Sequence, residues 1–132
     1  MTTTTTGTPS PIREYRVSAR TTGTFGRVQA EMRQHRLLVD GPIQNGCPGE
    51  EPTPAELFLG AVASCGAELI QVIARDTQVP LDGVAVTVTG SVDRERQPRD
   101  DVTLFTAVHV DIVLTGADGA RGAALVEGFK RR

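Results

Sequence analysis

Residues 53–67 have the sequence TPAELFLGAVASCGA, and this stretch decides the fold. Thr53, Pro54 and Glu56 match the pattern of a helix N-terminus: threonine at the N-cap, proline at the first helical position and glutamate at the third. The pattern predicts a helix that begins at Thr53 and runs to about Asp76, shortly before a proline that would end it.

The first half of this predicted helix has no polar face. From Leu57 to Ala67 every residue is apolar or small, including Gly60 and Gly66. A helix that is apolar all round is surrounded by other protein, and small residues let another backbone come close. We therefore expect a long, buried central helix, and in a chain of this size a partner chain could supply part of its surroundings.

Three short strands are predicted before the helix. Tyr15, Val17 and Ala19 alternate with polar residues, which is typical of a half-buried strand. The same alternation predicts a second strand over residues 28–32, and a third covers residues 36–39. Because the links between them are short, the three strands should form an antiparallel meander.

The remainder of the chain predicts two strands and a helix. Loops rich in turn residues are expected at residues 40–52 and 93–101. The order β-β-β-α-β-β-α contains no βαβ unit, so the predicted fold class is α+β with an antiparallel sheet. The later elements are strands at residues 84–90 and 104–114 and a helix at residues 120–130, with Ala124, Leu125 and Phe129 facing inward.

Length and composition narrow the function classes. The 132 residues fit one domain, predicted over residues 12–132, after a disordered tail rich in threonine and proline at residues 1–11. The net charge of −2 provides no basic field for nucleic acid or an anionic membrane.

Membrane and secretion signals are not expected either. No charge-free apolar run reaches the roughly 18–20 residues of a membrane span, and the N-terminus lacks the pattern of a signal peptide. We predict a soluble, cytoplasmic protein whose two cysteines are reduced thiols.

Cys65 and Cys47 are the residues that could carry chemistry. A cysteine reacts as its thiolate, which a nearby cation stabilises, and Cys65 lies about three turns into the predicted helix, where the helix dipole gives little help. The alternative is that Cys65 is a buried packing residue. Cys47 is a resolving thiol, a bystander or a metal ligand, but the cysteines and histidines lack metal-site spacing. No metal or cofactor is predicted.

Two glutamates accompany Cys65 on the helix. Glu56 is most simply part of the helix N-terminus, and Glu68 follows Cys65 by one turn. If Glu68 is buried it needs an arginine partner; otherwise it faces solvent where the helix leaves the core.

The stretch Gly49–Leu59, followed by Ala-Val-Ala-Ser-Cys65, resembles the central-helix signature of the OsmC/Ohr family. In that family a Thr/Asn-Pro-x-Glu-Leu start leads to a run of small residues and a reactive cysteine. The resemblance covers roughly residues 15–132. It implies an intertwined homodimer in which two central helices pack between sheets formed by both chains.

The resemblance also implies an activity and its residues. Many family members reduce organic hydroperoxides or hydrogen peroxide: a helix cysteine, here Cys65, becomes a sulfenic acid, then a disulfide that a dithiol reductant reopens. The position of the family's activating arginine is occupied by Thr24 in this chain, so Arg20 and Arg27 are the candidate substitutes. The family's glutamate after the helix proline falls at Ala55, which makes Glu56 an offset candidate.

The resolving cysteine of the family belongs to a Cys-Pro pair directly after the last helix, followed by a final strand. The chain has Phe129-Lys130-Arg131-Arg132 where that pair would begin, so the domain is expected to lack this segment. Cys47-Pro48 is a Cys-Pro pair elsewhere and is the substitute resolving residue.

Three interpretations follow. The first is a cytoplasmic thiol peroxidase that acts through Cys65 in oxidative-stress defence, with a peroxide substrate and a dithiol reductant. The second is a non-catalytic dimer of the same fold that binds a small apolar ligand between its helices. The third is an inert, truncated fragment.

Overall fold

The structure, a computed structural model, describes residues 11–132 as two units, residues 11–53 and residues 54–132. The element order is β-β-β-α-β-β-α and the described strands pair antiparallel, which confirms the predicted α+β class. A single domain stays a prediction, and the predicted tail lies almost wholly outside the described residues. The elements are β1 (Val17–Thr21), β2 (Arg27–Met32), β3 (His35–Asp40), α1 (Pro54–Asp76), β4 (Gly83–Ser91), β5 (Ala107–Thr115) and α2 (Gly119–Lys130).

The first unit contains a three-stranded meander in the order β1-β2-β3. Only Arg33 and Gln34 connect β2 to β3, and Arg33 takes the left-handed conformation, with φ of 56°, that such a tight turn needs. The resulting register places Arg27, at the start of β2, opposite Asp40, at the end of β3. The hairpin thereby brings together two charged residues that are 13 positions apart in the sequence.

The prediction that β1 is half-buried is wrong. All five residues of β1 are exposed, and Tyr15 precedes the strand with 86% of its surface exposed. β1 is an edge strand of the meander, and within residues 11–132 neither of its faces is covered. The buried residues of this unit are instead Ala30, Val39 and Asp40, which lie in the other two strands.

The core of the second unit forms where the second half of α1 meets α2 and the β4-β5 sheet. Its buried residues are Ile70, Ile73 and Ala74 of α1 and Leu125 of α2. Leu125 is 1% exposed, as its predicted inward position requires, whereas Ala124, also predicted to face inward, is exposed. The half-buried side chains that pack around the core are Val79, Leu81, Val84, Ile112, Leu114 and Phe129.

The strand β5 begins three residues later than the sequence predicts, at Ala107 instead of Leu104. The side-chain amide of Gln97 accepts from the backbone N–H of Leu104 at 2.6 Å and donates to its carbonyl at 3.0 Å. Because the loop uses both backbone groups of Leu104, this residue cannot join the strand ladder. The connection from β4 to β5 therefore runs over residues 92–106.

The prediction that α1 is buried on all sides does not hold within the chain. Strand β4 and helix α2 pack against one side of α1. The buried residues of the helix are Gly66, Ile70, Ile73 and Ala74, whereas Phe58 is 58% exposed. The first half of α1 has no polar face, as the hydrophobic pattern predicts, but within residues 54–132 the contacts from β4 and α2 cover only one side of the helix.

Helix α1 is also the one described helix that is long and apolar enough to cross a membrane, since it has 23 residues and contains an 18-residue window with a mean hydropathy of 1.8. Glu68 interrupts the apolar part of this helix, so its charge-free run, Leu57–Ala67, is shorter than a membrane span. Length and composition alone do not separate a membrane span from the core helix of a folded domain. Helix α1 packs on β4 and α2, as a core helix does.

Candidate active site

Cys65 lies on an exposed stripe along α1. The stripe consists of Phe58, Ala61, Cys65 and Glu68, all exposed and spaced by three or four residues, which places them on one side of a helix. The interpretation of Cys65 as a buried packing residue is therefore wrong for this chain, since its thiol is open to solvent.

The next residue, Gly66, marks the packed side of the helix. A Cβ atom at Gly66 would lie 3.4 Å from the ring of Phe129 and 3.7 Å from the side chain of Val86. The close approach of α2 and β4 at this point fixes the rotation of α1, and this rotation turns Cys65 away from the core.

Glu68 and Glu56 lie at different distances from Cys65 and on different sides of α1. Glu68 follows it by three residues, on the same side and about 4.5 Å further along the helix axis. Glu56 precedes it by nine residues, which is two and a half turns, so it lies about 13 Å away along the axis and on the opposite side. Within one chain, α1 therefore brings Glu68 near Cys65 but does not bring Glu56 there.

Arg27 is held by carboxylates in the first unit. Its Nε and Nη2 donate to the two oxygens of Asp40 at 2.8 and 2.9 Å, and Nη2 also contacts Glu50 at 3.2 Å. The backbone N–H groups of Glu50 and Glu51 donate to Asp40 as well, both at 2.9 Å. We call this arrangement of Arg27, Asp40, Glu50 and Glu51 the Asp40 clamp.

The clamp perturbs the titration of both charged partners. The hydrogen bond from Arg27 is the main reason that the pKa of Asp40 lies well below its usual range; the N–H groups of Glu51 and Glu50 act in the same direction, and burial opposes them. The hydrogen bond to Asp40 raises the pKa of Arg27. Arg27 is thus a cation held by two carboxylates, with its side chain 23% exposed.

Arg20, the other candidate cation, is less constrained. It makes a 3.2 Å ion pair with Glu31, and its side chain is 67% exposed. Arg36 also lies 3.9 Å from Glu31, so Arg20 shares this carboxylate. An exposed ion pair of this kind contributes little and is easily exchanged.

Cys47 has a tight local environment in the connection between β3 and α1. Its thiol packs against the backbones of Gly26 and Gly41, and a Cβ atom at Gly26 would lie only 2.6 Å from the sulfur. Gly26 has a φ of 80°, so both the space and the conformation require glycine there. Cys47 is half-buried and, like Cys65, a free thiol.

The candidate residues are thus divided between the two units. Arg20, Arg27 and Cys47 belong to residues 11–53, and the helix residues belong to residues 54–132. Between Pro11 and Arg132, no three histidine, cysteine or carboxylate side chains are grouped so that they could hold a metal ion. Asp40 is not among the residues predicted from the sequence. The signal that could have found it is the position of a carboxylate directly after the apolar residues of a strand.

Comparison with known proteins assigns the family. The sequence model of the family described as OsmC-like protein matches residues 47–131, which is more than half of the chain. The chain belongs to this family. The match includes α1 with Cys65, so the resemblance found in the helix signature is confirmed. No curated protein sequence matches the chain significantly.

Solved structures of OsmC-like proteins share the fold. An OsmC-like protein from Mycoplasma pneumoniae matches with a TM-score of 0.76 at 16% identity, over 91% of this chain and 82% of that one. An organic hydroperoxide resistance protein from Legionella pneumophila matches with a TM-score of 0.73 at 20% identity, over 92% of this chain and 85% of that one. Another organic hydroperoxide resistance protein, from Elizabethkingia anophelis, has a TM-score of 0.73 at 13% identity, over 93% of this chain and 85% of its own. At these identities the likeness establishes the fold.

Proposed function

We propose that this OsmC-like protein is a cysteine peroxidase that reduces organic hydroperoxides or hydrogen peroxide through Cys65. The observation that carries the proposal is the position of Cys65: it is exposed in the middle of α1, where the family signature has its reactive cysteine. Two structural neighbours named organic hydroperoxide resistance proteins support the choice of substrate.

The reaction consumes one hydroperoxide and one dithiol. The Cys65 thiolate attacks the terminal oxygen of ROOH, an S–O bond forms, the O–O bond breaks, and the leaving alkoxide takes a proton to become ROH. Cys65 is then a sulfenic acid. One thiol of the reductant displaces its hydroxyl as water, and the second thiol opens the mixed disulfide. The peroxide gains two electrons and the dithiol becomes a disulfide.

A cation near Cys65 is part of the proposal. Glu68 carries a negative charge on the same side of the helix, and a like charge disfavours a thiolate. An arginine that pairs with Glu68 would remove this penalty and stabilise the thiolate as well. The two candidate cations differ in availability, because the ion pair of Arg20 is exposed whereas Arg27 is held in the Asp40 clamp.

Cys47 is the less suitable resolving thiol. Its sulfur is packed against Gly26 and Gly41, whereas the thiol of Cys65 is exposed. We therefore assign resolution to the external dithiol. Low-molecular-weight or protein dithiols are available in the reducing cytoplasm, where we place the protein.

A second copy of the chain is proposed to pack against the exposed apolar face of α1 around Phe58. Phe58 alone is 58% exposed, and a continuous apolar helix face of this kind is normally covered. Sedimentation equilibrium should give a mass of twice the 14.0 kDa of the chain at micromolar concentration. A mass of one chain at all concentrations would contradict the dimer.

The same exposed apolar face favours the alternative function, binding of a small apolar ligand. The two functions differ in the chemistry of Cys65, because a binding protein does not need a reactive thiol. The test of the peroxidase is therefore also the test between them.

The direct test is to trap the oxidised cysteine. A Cys47→Ser variant is treated with one equivalent of cumene hydroperoxide and then with a dione that reacts with sulfenic acids. We expect the adduct on the peptide that contains Cys65, and one equivalent of cumyl alcohol. Folded protein that leaves the hydroperoxide unreacted would exclude the peroxidase and favour ligand binding. The Cys65→Ser variant serves as the blank.

A further inference from the structure

Strand β5 is an outer strand of its sheet. Within residues 54–132 this sheet consists of β4 and β5, and helix α1 packs on β4. In an antiparallel pair, alternate residues turn their backbone N–H and C=O groups away from the neighbouring strand. In this part of the chain, β5 therefore presents an edge of unpaired backbone groups along its nine residues, Ala107–Thr115.

The edge of β5 lacks the features that normally prevent a strand from pairing with another chain. Such features are lysine or proline in the strand, a bulge, and charged side chains on the inner face. β5 contains no lysine or proline, and it pairs with β4 over nine consecutive residues without a bulge. Its inner-face residues are all aliphatic, and one of them, Val108, is 47% exposed. An edge of this kind can accept a further strand.

An apolar groove lies beside β5 on the inner face. It has a volume of about 390 Å³ and is lined by Val110 and Ile112 of β5 and by Val126, Phe129 and Lys130 of α2. A strand added at the edge of β5 would place every second side chain on this face. The groove therefore favours a strand whose inner-face residues are apolar, as those of β5 itself are.

The outer face of β5 indicates which strand fits. His109 and Asp111 are exposed on this face, with Nε2 of His109 3.1 Å from Oδ1 of Asp111. When two β5 strands pair antiparallel about Val110, each His109 lies opposite the Asp111 of the other copy, and each Val108 lies opposite an Ile112. A pair centred on Asp111 instead would oppose two carboxylates, which is unfavourable. The strand is thus complementary to itself in the register centred on Val110.

We infer that β5 is a self-association surface, on which the β5 strands of two copies pair antiparallel with their Val110 residues opposite each other. The two sheets then form one four-stranded sheet in the order β4-β5-β5-β4, and both copies use the same surface. This contact is separate from the proposed contact through α1, so it adds a second interface to each chain. Because one pair of strands makes a small interface, and small interfaces are weak, the contact forms well above micromolar concentration.

The register is tested with single cysteines in a Cys47→Ser, Cys65→Ser background at high protein concentration. Directly opposed residues have Cα atoms about 4.5–5.5 Å apart, a distance that a disulfide spans, so oxidation of Val110→Cys should crosslink two chains. Val108→Cys is the control: in this register the two copies of residue 108 lie about 13 Å apart and should not crosslink. A mixture of Val108→Cys with Ile112→Cys should crosslink again. Equal crosslinking of Val110→Cys and Val108→Cys, or none in either, would overturn the inference.

The charge complementarity is tested by exchanging His109 and Asp111. His109→Asp opposes two carboxylates at both outer positions of the contact, and Asp111→His opposes two imidazoles there. Sedimentation equilibrium at rising concentration should show a dissociation constant about tenfold weaker for each single variant. The double variant restores the opposite pairs and should associate like the wild type.

Two results would contradict the pairing of β5 strands. The first is a double variant that associates no better than the single variants. The second is a wild-type mass that stays constant from micromolar to millimolar concentration. Neither result bears on the contact through α1 or on the chemistry of Cys65, because both of these involve residues outside β5.

Discussion

Replacing Cys65 with serine is expected to reduce peroxide consumption to the level of the buffer. The sulfur at this position forms the only S–O bond of the proposed reaction, and a serine hydroxyl at neutral pH is a far weaker nucleophile than a thiolate. The measurement is the initial rate of hydroperoxide loss with dithiothreitol as reductant. Because Cys65 is exposed, the variant should fold like the wild type, and its circular dichroism should be unchanged.

Cys47→Ser is the matched control, since it makes the same atomic change at the other cysteine. If an external dithiol resolves the sulfenic acid, this variant keeps at least half of the wild-type rate. Loss of activity in both variants would return Cys47 to the role of resolving residue. An unchanged rate in Cys65→Ser would exclude the peroxidase mechanism.

Replacing Asp40 with asparagine is expected to destabilise the first unit strongly. The carboxylate is fully buried and accepts hydrogen bonds from Arg27 and from the N–H groups of Glu50 and Glu51. An amide can accept through one oxygen only and places N–H donors against the guanidinium, which leaves Arg27 with the mostly exposed Glu50 as its remaining carboxylate partner. The urea midpoint, followed by circular dichroism, should fall by about 1 M.

Glu50→Gln provides the control, because it removes a carboxylate that is mostly exposed and makes a single 3.2 Å contact with Arg27. Its urea midpoint should stay close to that of the wild type. Equal midpoints for the wild type and Asp40→Asn would show that the Asp40 clamp does not stabilise the unit.

Lowering the pH should reveal the contribution of Asp40 to stability. The pKa of Asp40 is lowered in the folded protein, so its contribution to stability is complete above the unfolded value of about 3.9 and is lost as the pH falls below it. The wild type should therefore lose stability steeply below about pH 4. Asp40→Asn should lack this part of the pH dependence.

The sequence predicted the element order and the start of α1 well, because those signals are local. The capping pattern at Thr53 and the proline that follows place the beginning of the helix within one residue of Pro54. The family signature in α1 also led to the correct family, while the role of Cys65 stays a prediction. Helix periodicity could not show which side of the apolar first half of α1 remains uncovered. A helix surface that is apolar on all sides contains no polar residues that would mark the solvent side.

The parts that sequence reasoning missed depend on contacts between distant residues. The Asp40 clamp needs the register of the β2-β3 hairpin to bring Arg27 opposite Asp40, and neither residue shows this by itself. The late start of β5 depends on Gln97, seven residues before Leu104. The stacked rings of Phe58, on α1, and Phe105, in the loop between β4 and β5, likewise join residues nearly fifty positions apart.

The Asp40 clamp also closes a loop. The side chain of Asp40 binds Glu50 and Glu51, and its backbone N–H donates to the carbonyl of Pro52 at 3.0 Å, so residues 41–49 leave and return to almost the same point. Doubling the length of a closed loop adds only about 0.6 kcal/mol of closure entropy. The exposed tip, Ile43–Gly46, is therefore where insertions could accumulate during evolution, or where a peptide tag could be grafted, without moving residues 50–52.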